Sequence, residues 1–307
     1  MHVQTFQVNE EPIQRNALSG DLEFIERIKN SSLTGFVHST FRRTINIQCI
    51  ENGELYTIAS SQVDNAPNTL VIQSASLEEW NVDVNDAVFL KNKTLSILNK
   101  LAISINQANK WESILPEYPS KHQNLIRNLI KMKEYIDFHG KAGGIKKNLL
   151  AQSLYETEMS KLIEERTRLV ENELLNNRMT NALHHAVSLI GLGPGLTPSG
   201  DDFLVGLFTI INLRNSPFNT HQSFCEEVVL RAKTLTNEIS YMALKKASIG
   251  KVRESIIQLV YAILNGNEAD LYLSLNKVLN IGSSSGTDIA LGLVCGLKAN
   301  LKVGGQL

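Results

Sequence analysis

The sequence predicts an α+β protein: a small antiparallel β-barrel-like domain over residues 1–100, then a mainly α-helical domain over residues 101–307. Two observations carry this. Up to Leu98, β-branched and aromatic residues come in short runs broken by turn pairs such as Asn52-Gly53, Asp64-Asn65 and Asn85-Asp86, the punctuation of short strands. Beyond Leu98 that punctuation stops, and apolar residues recur at the spacing of an amphipathic helix.

Five strands are expected: Gly35 to Cys49, Leu55 to Ser60, Thr69 to Ser74, Ala87 to Leu90 and Thr94 to Leu98. Five strands suffice for a small barrel or sandwich. Leu125 to Asp137 starts the helical half, and Leu162, Ile163, Leu169, Val170 and Leu174 form the apolar face of a second helix. Further helices are expected over Met179 to Ile190, Asp201 to Asn212, Cys225 to Ala247, Val252 to Leu264, Leu271 to Leu279 and Asp288 to Lys298. Between them, HGKAGGIKKN at 139–148 combines Gly140, Gly143 and Gly144 with Lys141, Lys146 and Lys147. That composition suits a flexible connection or an anion-facing loop.

A chain of 307 residues, 43% of them hydrophobic, can bury a large core without metal or disulfide staples. Its 30 basic and 31 acidic side chains leave a net charge of −1, and no basic stretch interleaved with aromatics suggests nucleic acid. Cys49, Cys225 and Cys295 are far apart and read as small buried hydrophobes of a reducing compartment. The stretch MHVQTFQVNEEPIQRN is not the pattern of a secretory signal, and no apolar run is long enough to span a bilayer. The expected location is the cytoplasm.

The most informative stretch is IGLGPGLTPSGDDFLVG at 190–206. Its alternating Gly191, Gly193 and Gly195 permit positive φ and close backbone approach to a ligand. Thr197, Pro198, Ser199 and Asp202 are helix-start chemistry. A second stretch, SGTDIALGL at 285–293, matches SGDDFLVGL at 199–207 in five of nine positions. Each copy is expected to form a short-armed capping box, Ser199 with Asp202 and Ser285 with Asp288. Gly200 and Gly286 would leave first-turn N–H groups uncovered, as an anion site at a helix start requires. No Gly-Lys-Ser/Thr follows, so this is no Walker loop, and the preceding helical pattern excludes a dinucleotide fingerprint.

GLGPGLTPSGDDFLVG at 191–206, with SSGTD near the C-terminus and GFVHSTFRRTINI at 35–47, resembles the signatures of a bacterial family identified as the H subunit of oxamate carbamoyltransferase, an enzyme of anaerobic allantoin catabolism. The resemblance implies carbamoyl transfer between phosphate and the amide nitrogen of oxamate, giving oxalurate or, in reverse, carbamoyl phosphate. It also implies further enzyme subunits as partners. Both substrates are anions, which agrees with glycine-opened helix starts that hold a phosphate and a carboxylate and polarise a carbonyl between them.

On that reading the N–H groups of Gly193, Gly195 and Gly200 bind phosphate or a developing oxyanion, Thr197 and Ser199 add hydroxyls, and Ser284, Ser285 and Gly286 form the facing half. Catalysis is assigned to Asp201, Ser199 and Ser285; Asp201 has no counterpart in the second copy and would be free for proton transfer or a magnesium-bound water. Asp202 and Asp288 read as caps. His38, with Arg42 and Arg43, reaches a carboxylate from the β domain or forms a strand-edge patch. His184 and His185 read as helix-end histidines without metal spacing. The polar run Thr234, Thr236, Asn237, Glu238 and Ser240 lines a cavity or forms a solvated helix face. Two other classes stay open: a non-catalytic metabolite-binding or scaffolding subunit, and a magnesium-dependent phosphotransferase built on Asp201 and Asp202.

Overall fold

A computed structural model describes residues 11–30, 34–147 and 153–306, and of Lys91 only the backbone. Most of the stretch read for a secretory signal and Asn148 of the lysine-glycine segment lie outside the described residues. The chain divides after Glu112 into two compact units.

The first unit holds β1 (Ile13–Asp21), α1 (Leu22–Asn30), β2 (Thr34–Thr40), β3 (Thr44–Cys49), β4 (Leu55–Ser60), β5 (Thr69–Ile72), β6 (Ala87–Lys91), β7 (Thr94–Ile97), β8 (Leu101–Ser104) and β9 (Asn109–Trp111). Eight of these strands close in the order β5-β4-β3-β2-β6-β7-β8-β1, with β1 pairing back onto β5 and β9 added beside β1. Closure removes exposed sheet edges. Alternate residues point inward and fill the barrel with Val37, Ile45, Ile47, Ile58, Ile72, Val88, Ile97 and Ile103. Phe24, Ile25 and Ile28 of α1 belong to the same core.

The β-barrel expectation holds, with three differences of detail. Gly35 to Cys49 is a hairpin of two strands, because the chain reverses at Phe41-Arg42-Arg43, where Phe41 N–H donates to Thr44 O at 2.8 Å. The pairing is mixed, since β4–β5, β1–β8 and β1–β9 run parallel. The parallel pairs β1–β8 and β1–β9 arise because β1, the first strand, lies beside strands formed much later, and β4 and β5 are joined by a connection over 61–68 that lets them run the same way. Strands β8 and β9 follow residue 100, so the β region continues to Trp111.

The second unit contains α2 (Gln123–His139), α3 (Leu154–Leu175), α4 (Met179–Val187), α5 (Ser199–Ile211), α6 (Gln222–Ala232), α7 (Glu238–Ala247), α8 (Glu254–Asn265), α9 (Glu268–Leu279) and α10 (Ser285–Val303). All 13 residues of α5 are buried, as expected for a helix apolar on every side, and α10 packs along it. The helix expected over Cys225 to Ala247 is two, α6 and α7. The break falls where Asn237 takes an extended conformation and its side chain accepts from Ile239 and Ser240 N–H at 3.1 and 3.0 Å. Among the described residues no helix is long and apolar enough to cross a membrane.

Candidate functional site

Helices α5 and α10 begin at the two glycine motifs and cross through a glycine from each. A Cβ on Gly206 would lie 2.1 Å from Ile289 O, and one on Gly292 would lie 2.0 Å from Phe203 O. The contact is reciprocal: each glycine sits on the backbone of the other helix, so the two helix starts are held together with no side chain between the backbones.

Ahead of α5, Gly191, Gly193 and Gly195 take φ values of +70°, +120° and +96°, a region costly for other residues. The arch folds back so that Gly200 N–H donates to Leu192 O at 2.9 Å. In the second motif Gly286 N–H donates to Ile281 O at 3.0 Å. These two N–H groups are thus spent inside their own loops and not uncovered as the sequence suggests, because each first turn is closed by the preceding loop. Among the described residues the N–H groups of Gly193, Gly195 and Ser199 meet no backbone carbonyl.

The capping boxes do not form. Ser199 and Ser285 are already helical, the flanking Pro198 and Ser284 make no side-chain cap, and the carboxylates turn across the helix pair. Asp202 accepts from Thr197 Oγ1 at 3.0 Å, and Thr197 Oγ1 lies 2.9 Å from Ser285 Oγ of the other motif. Asp288 accepts the Ile145 N–H at 2.8 Å, and Ser199 of the first motif lies beside it. Each carboxylate therefore meets a serine of the opposite copy. Ser199 Oγ and Asp288 Oδ2 are close enough to interact, yet among the described residues neither reaches hydrogen-bond geometry with any group.

Burial pushes Asp202 up to about 7, against hydrogen bonds from Ser285 and Thr197, and the charges of Asp288 and Asp201 raise it further. Burial likewise lifts Asp288 to about 7, opposed by Ile145 N–H and the Ser199 and Ser284 hydroxyls. Two carboxylates of this kind take up and release a proton near neutral pH.

Asp201 is not free. It accepts Gly191 N–H at 2.9 Å on one oxygen and the Thr236 hydroxyl on the other, bracing the glycine arch against the α6–α7 turn. Burial raises its proton affinity, opposed by Thr236, Gly191 and the nearby Ser240. The polar run at 234–240 thus closes over the first motif: Asn237 also donates to Leu196 O at 2.8 Å. Residues 140–146 lie over the second. Lys141 N–H donates to Thr287 Oγ1 at 2.8 Å, and a Cβ on Gly144 would lie 2.2 Å from Asp288 Oδ2. The lysine ammoniums serve carbonyls or a carboxylate, Lys141 on Gly282 O, Lys146 on Asp137 O and Gly140 O, and Lys147 on Glu164.

Thr197, Ser199, Gly200, Asp201, Ser284, Ser285 and Gly286 are therefore brought together, with Gly193 against Ser199 and Gly195 on the exposed arch. His38 lies on β2 of the barrel unit, 3.1 Å from Ser39 Oγ. The contact of the 140–146 segment with Thr287 and Asp288 was not foreseen, nor was the turn of Asp202 and Asp288 toward the serine of the opposite motif, whose signal was the aspartate that both copies retain. His184 and His185 end α4, and among the described residues no group of histidine, cysteine and carboxylate side chains is arranged to hold a metal.

Fold and site define an α+β protein with a barrel unit and a helical unit whose duplicated helix starts carry a buried hydroxyl and carboxylate cluster. Family comparisons agree with that division. Residues 16–110 match the model of the AllH family N-terminal domain, and residues 189–297, which include both glycine motifs, match that of oxamate carbamoyltransferase subunit AllH. The chain belongs to this family of transferase subunits, and membership implies other subunits in the enzyme. No solved structure matches the chain.

Proposed function

We propose that this chain supplies the substrate site of a carbamoyltransferase that interconverts oxamate and carbamoyl phosphate with oxalurate and phosphate. The observation that carries the reading is the hydroxyl pair Thr197 and Ser285, 2.9 Å apart and joining the two motifs at a half-buried, solvent-reachable position. The free N–H groups of Gly193, Gly195 and Ser199, at the positive end of α5, hold the phosphate or the oxyanion that forms on the carbamoyl carbon. Ser284 and Ser285 hold the carboxylate of oxamate from the α10 side. Asp201 keeps the arch in shape for this task, Ser285 supplies the hydroxyl next to the reacting groups, and Ser199, fully buried, stands behind it against Asp288. The chain works in the cytoplasm, with its partner subunits.

Calorimetric titration with carbamoyl phosphate, phosphate, oxamate and oxalurate tests the reading, run on the full chain and on the enzyme assembled with its partner subunits. Thr197→Val and Ser285→Ala are the informative variants. Gly200→Val is not, because its Cβ would meet Leu189 O at 2.0 Å and disturb the fold. Saturable binding weakened about tenfold or more in both variants supports the site. Binding unchanged in both would sink it, and loss of binding or turnover on chelation would favour a magnesium-dependent phosphotransferase.

A further inference from the structure

We infer that Asp202 is the proton acceptor of the transfer, acting through the Ser285 and Thr197 hydroxyls, and that Asp288 is its positioning partner from the other motif. The inference rests on the proposed carbamoyl transfer and goes beyond it by naming where the proton goes.

An amide nitrogen is a poor nucleophile and must lose a proton as it attacks. In the synthetic direction the oxamate nitrogen forms a bond to the carbamoyl carbon, and the bond from that carbon to the phosphate oxygen breaks. The proton leaving nitrogen passes to Ser285 Oγ, the Ser285 proton passes to Thr197 Oγ1, and the Thr197 proton passes to Asp202. The same route returns it to the departing phosphate oxygen, so no other reactant is consumed. Geometry supplies the route: Thr197 Oγ1 bridges Asp202 Oδ2 at 3.0 Å and Ser285 Oγ at 2.9 Å, with Thr197 and Ser285 half-buried and Asp202 behind them.

Asp288 is fully buried, and among the described residues its Oδ2 has no hydrogen-bond partner, as is true of the fully buried Ser199 Oγ beside it. Two orphaned polar atoms in one buried place are costly in a group that serves packing alone. They keep a second carboxyl in the cluster, whose charge adds to the burial that raises the proton affinity of Asp202 toward neutral pH.

The charged groups around Asp202 are Asp288 from α10 and Asp201 from its own helix. Lys141 and Lys146 of the overlying segment turn to carbonyls. On α3, Glu171 pairs with Lys298 and Arg166 donates to Ser188 O, while α7 carries Glu238 in its first turn and Lys245 and Lys246 in its last.

The test is steady-state kinetics of the assembled enzyme across pH with Asp202→Asn and Asp288→Asn, beside calorimetry of carbamoyl phosphate binding. Asp202→Asn is expected to lower kcat at least about a hundredfold with binding within about threefold of the unsubstituted chain. Asp288→Asn lowers kcat less than Asp202→Asn does and moves the acidic limb of the profile to lower pH, because a like charge near Asp202 has gone; a merely structural aspartate would leave the limb in place. Infrared spectroscopy of the unliganded, unsubstituted chain at pH 7 should show a protonated carboxyl band, a readout that does not depend on folding of a variant, and folded Asp202→Asn should weaken it. Turnover retained in Asp202→Asn, or absence of that band, overturns the inference. If the unsubstituted enzyme binds no carbamoyl phosphate while the band is present, the substrate reading fails, while the buried protonated carboxyl stands.

Discussion

The two glycine motifs are alike where they touch each other and unlike where they touch the rest of the molecule. Both contribute a serine, a helix-start glycine, an aspartate turned across the pair and a crossing glycine. Around this common part the supports differ. The first motif is braced by Asp201, which ties Gly191 to Thr236, whereas the second has Thr287 at that position and receives Lys141 N–H from the overlying segment. The difference teaches which residues belong to the pair and which only hold one half in place: the shared aspartates face inward, and the unshared Asp201 faces its own loop.

Replacing the crossing glycines should have the largest effect. Gly206→Val and Gly292→Val each push side-chain atoms into the facing backbone and are expected to cost about 3 kcal/mol or more in the chemical unfolding of the helical unit. Similar losses keep the two halves equivalent, and one tolerated valine would break the comparison. Next comes pH. Asp202 and Asp288 bind protons more tightly folded, at about 7, than unfolded, near 3.8. Their contribution is therefore fully present below pH 3.8 and lost as pH rises through about 7. Denaturant melts across this interval should show stability falling with rising pH, and a single Asn at either site should flatten the slope.

The supports come last. Asp201→Ala strands Gly191 N–H and the Thr236 hydroxyl and is expected to cost about 2 to 3 kcal/mol by thermal melting. Thr287→Val strands only the Lys141 N–H, at about 1 kcal/mol. The reverse order would mean that the second motif depends on its support more than the first does.

What the sequence disclosed follows from how local each cause is. The four strands between Leu55 and Ile97 and the helix under Leu162 to Leu174 were legible because their periodicity is written in neighbouring residues. The first strand, Ile13–Asp21, was not, since IQRNALSGD carries few apolar side chains and owes its place to closing the ring between β5 and β8. The same limit operates in the site. The glycines and serines of both motifs stood out by repetition, and Gly191, Gly193 and Gly195 do take positive φ. The inward turn of Asp202 and Asp288 was not readable, because a Ser-x-x-Asp string looks like a cap whether or not another helix crosses it. Asp201 stood out for being unmatched, and that singularity reflects a local brace.

The reciprocal contact at Gly206 and Gly292 also fixes a tolerance. Where side chains separate two helices, their spacing drifts with every rotamer, and whatever sits at the helix ends inherits the drift. Here main chain rests on main chain, so the crossing behaves like a machinist's gauge block: the interval between the first turns of α5 and α10 is set by parts with no adjustable torsion. The residues carried on those turns can then be exchanged for others of different size or charge while the interval that separates them stays the same.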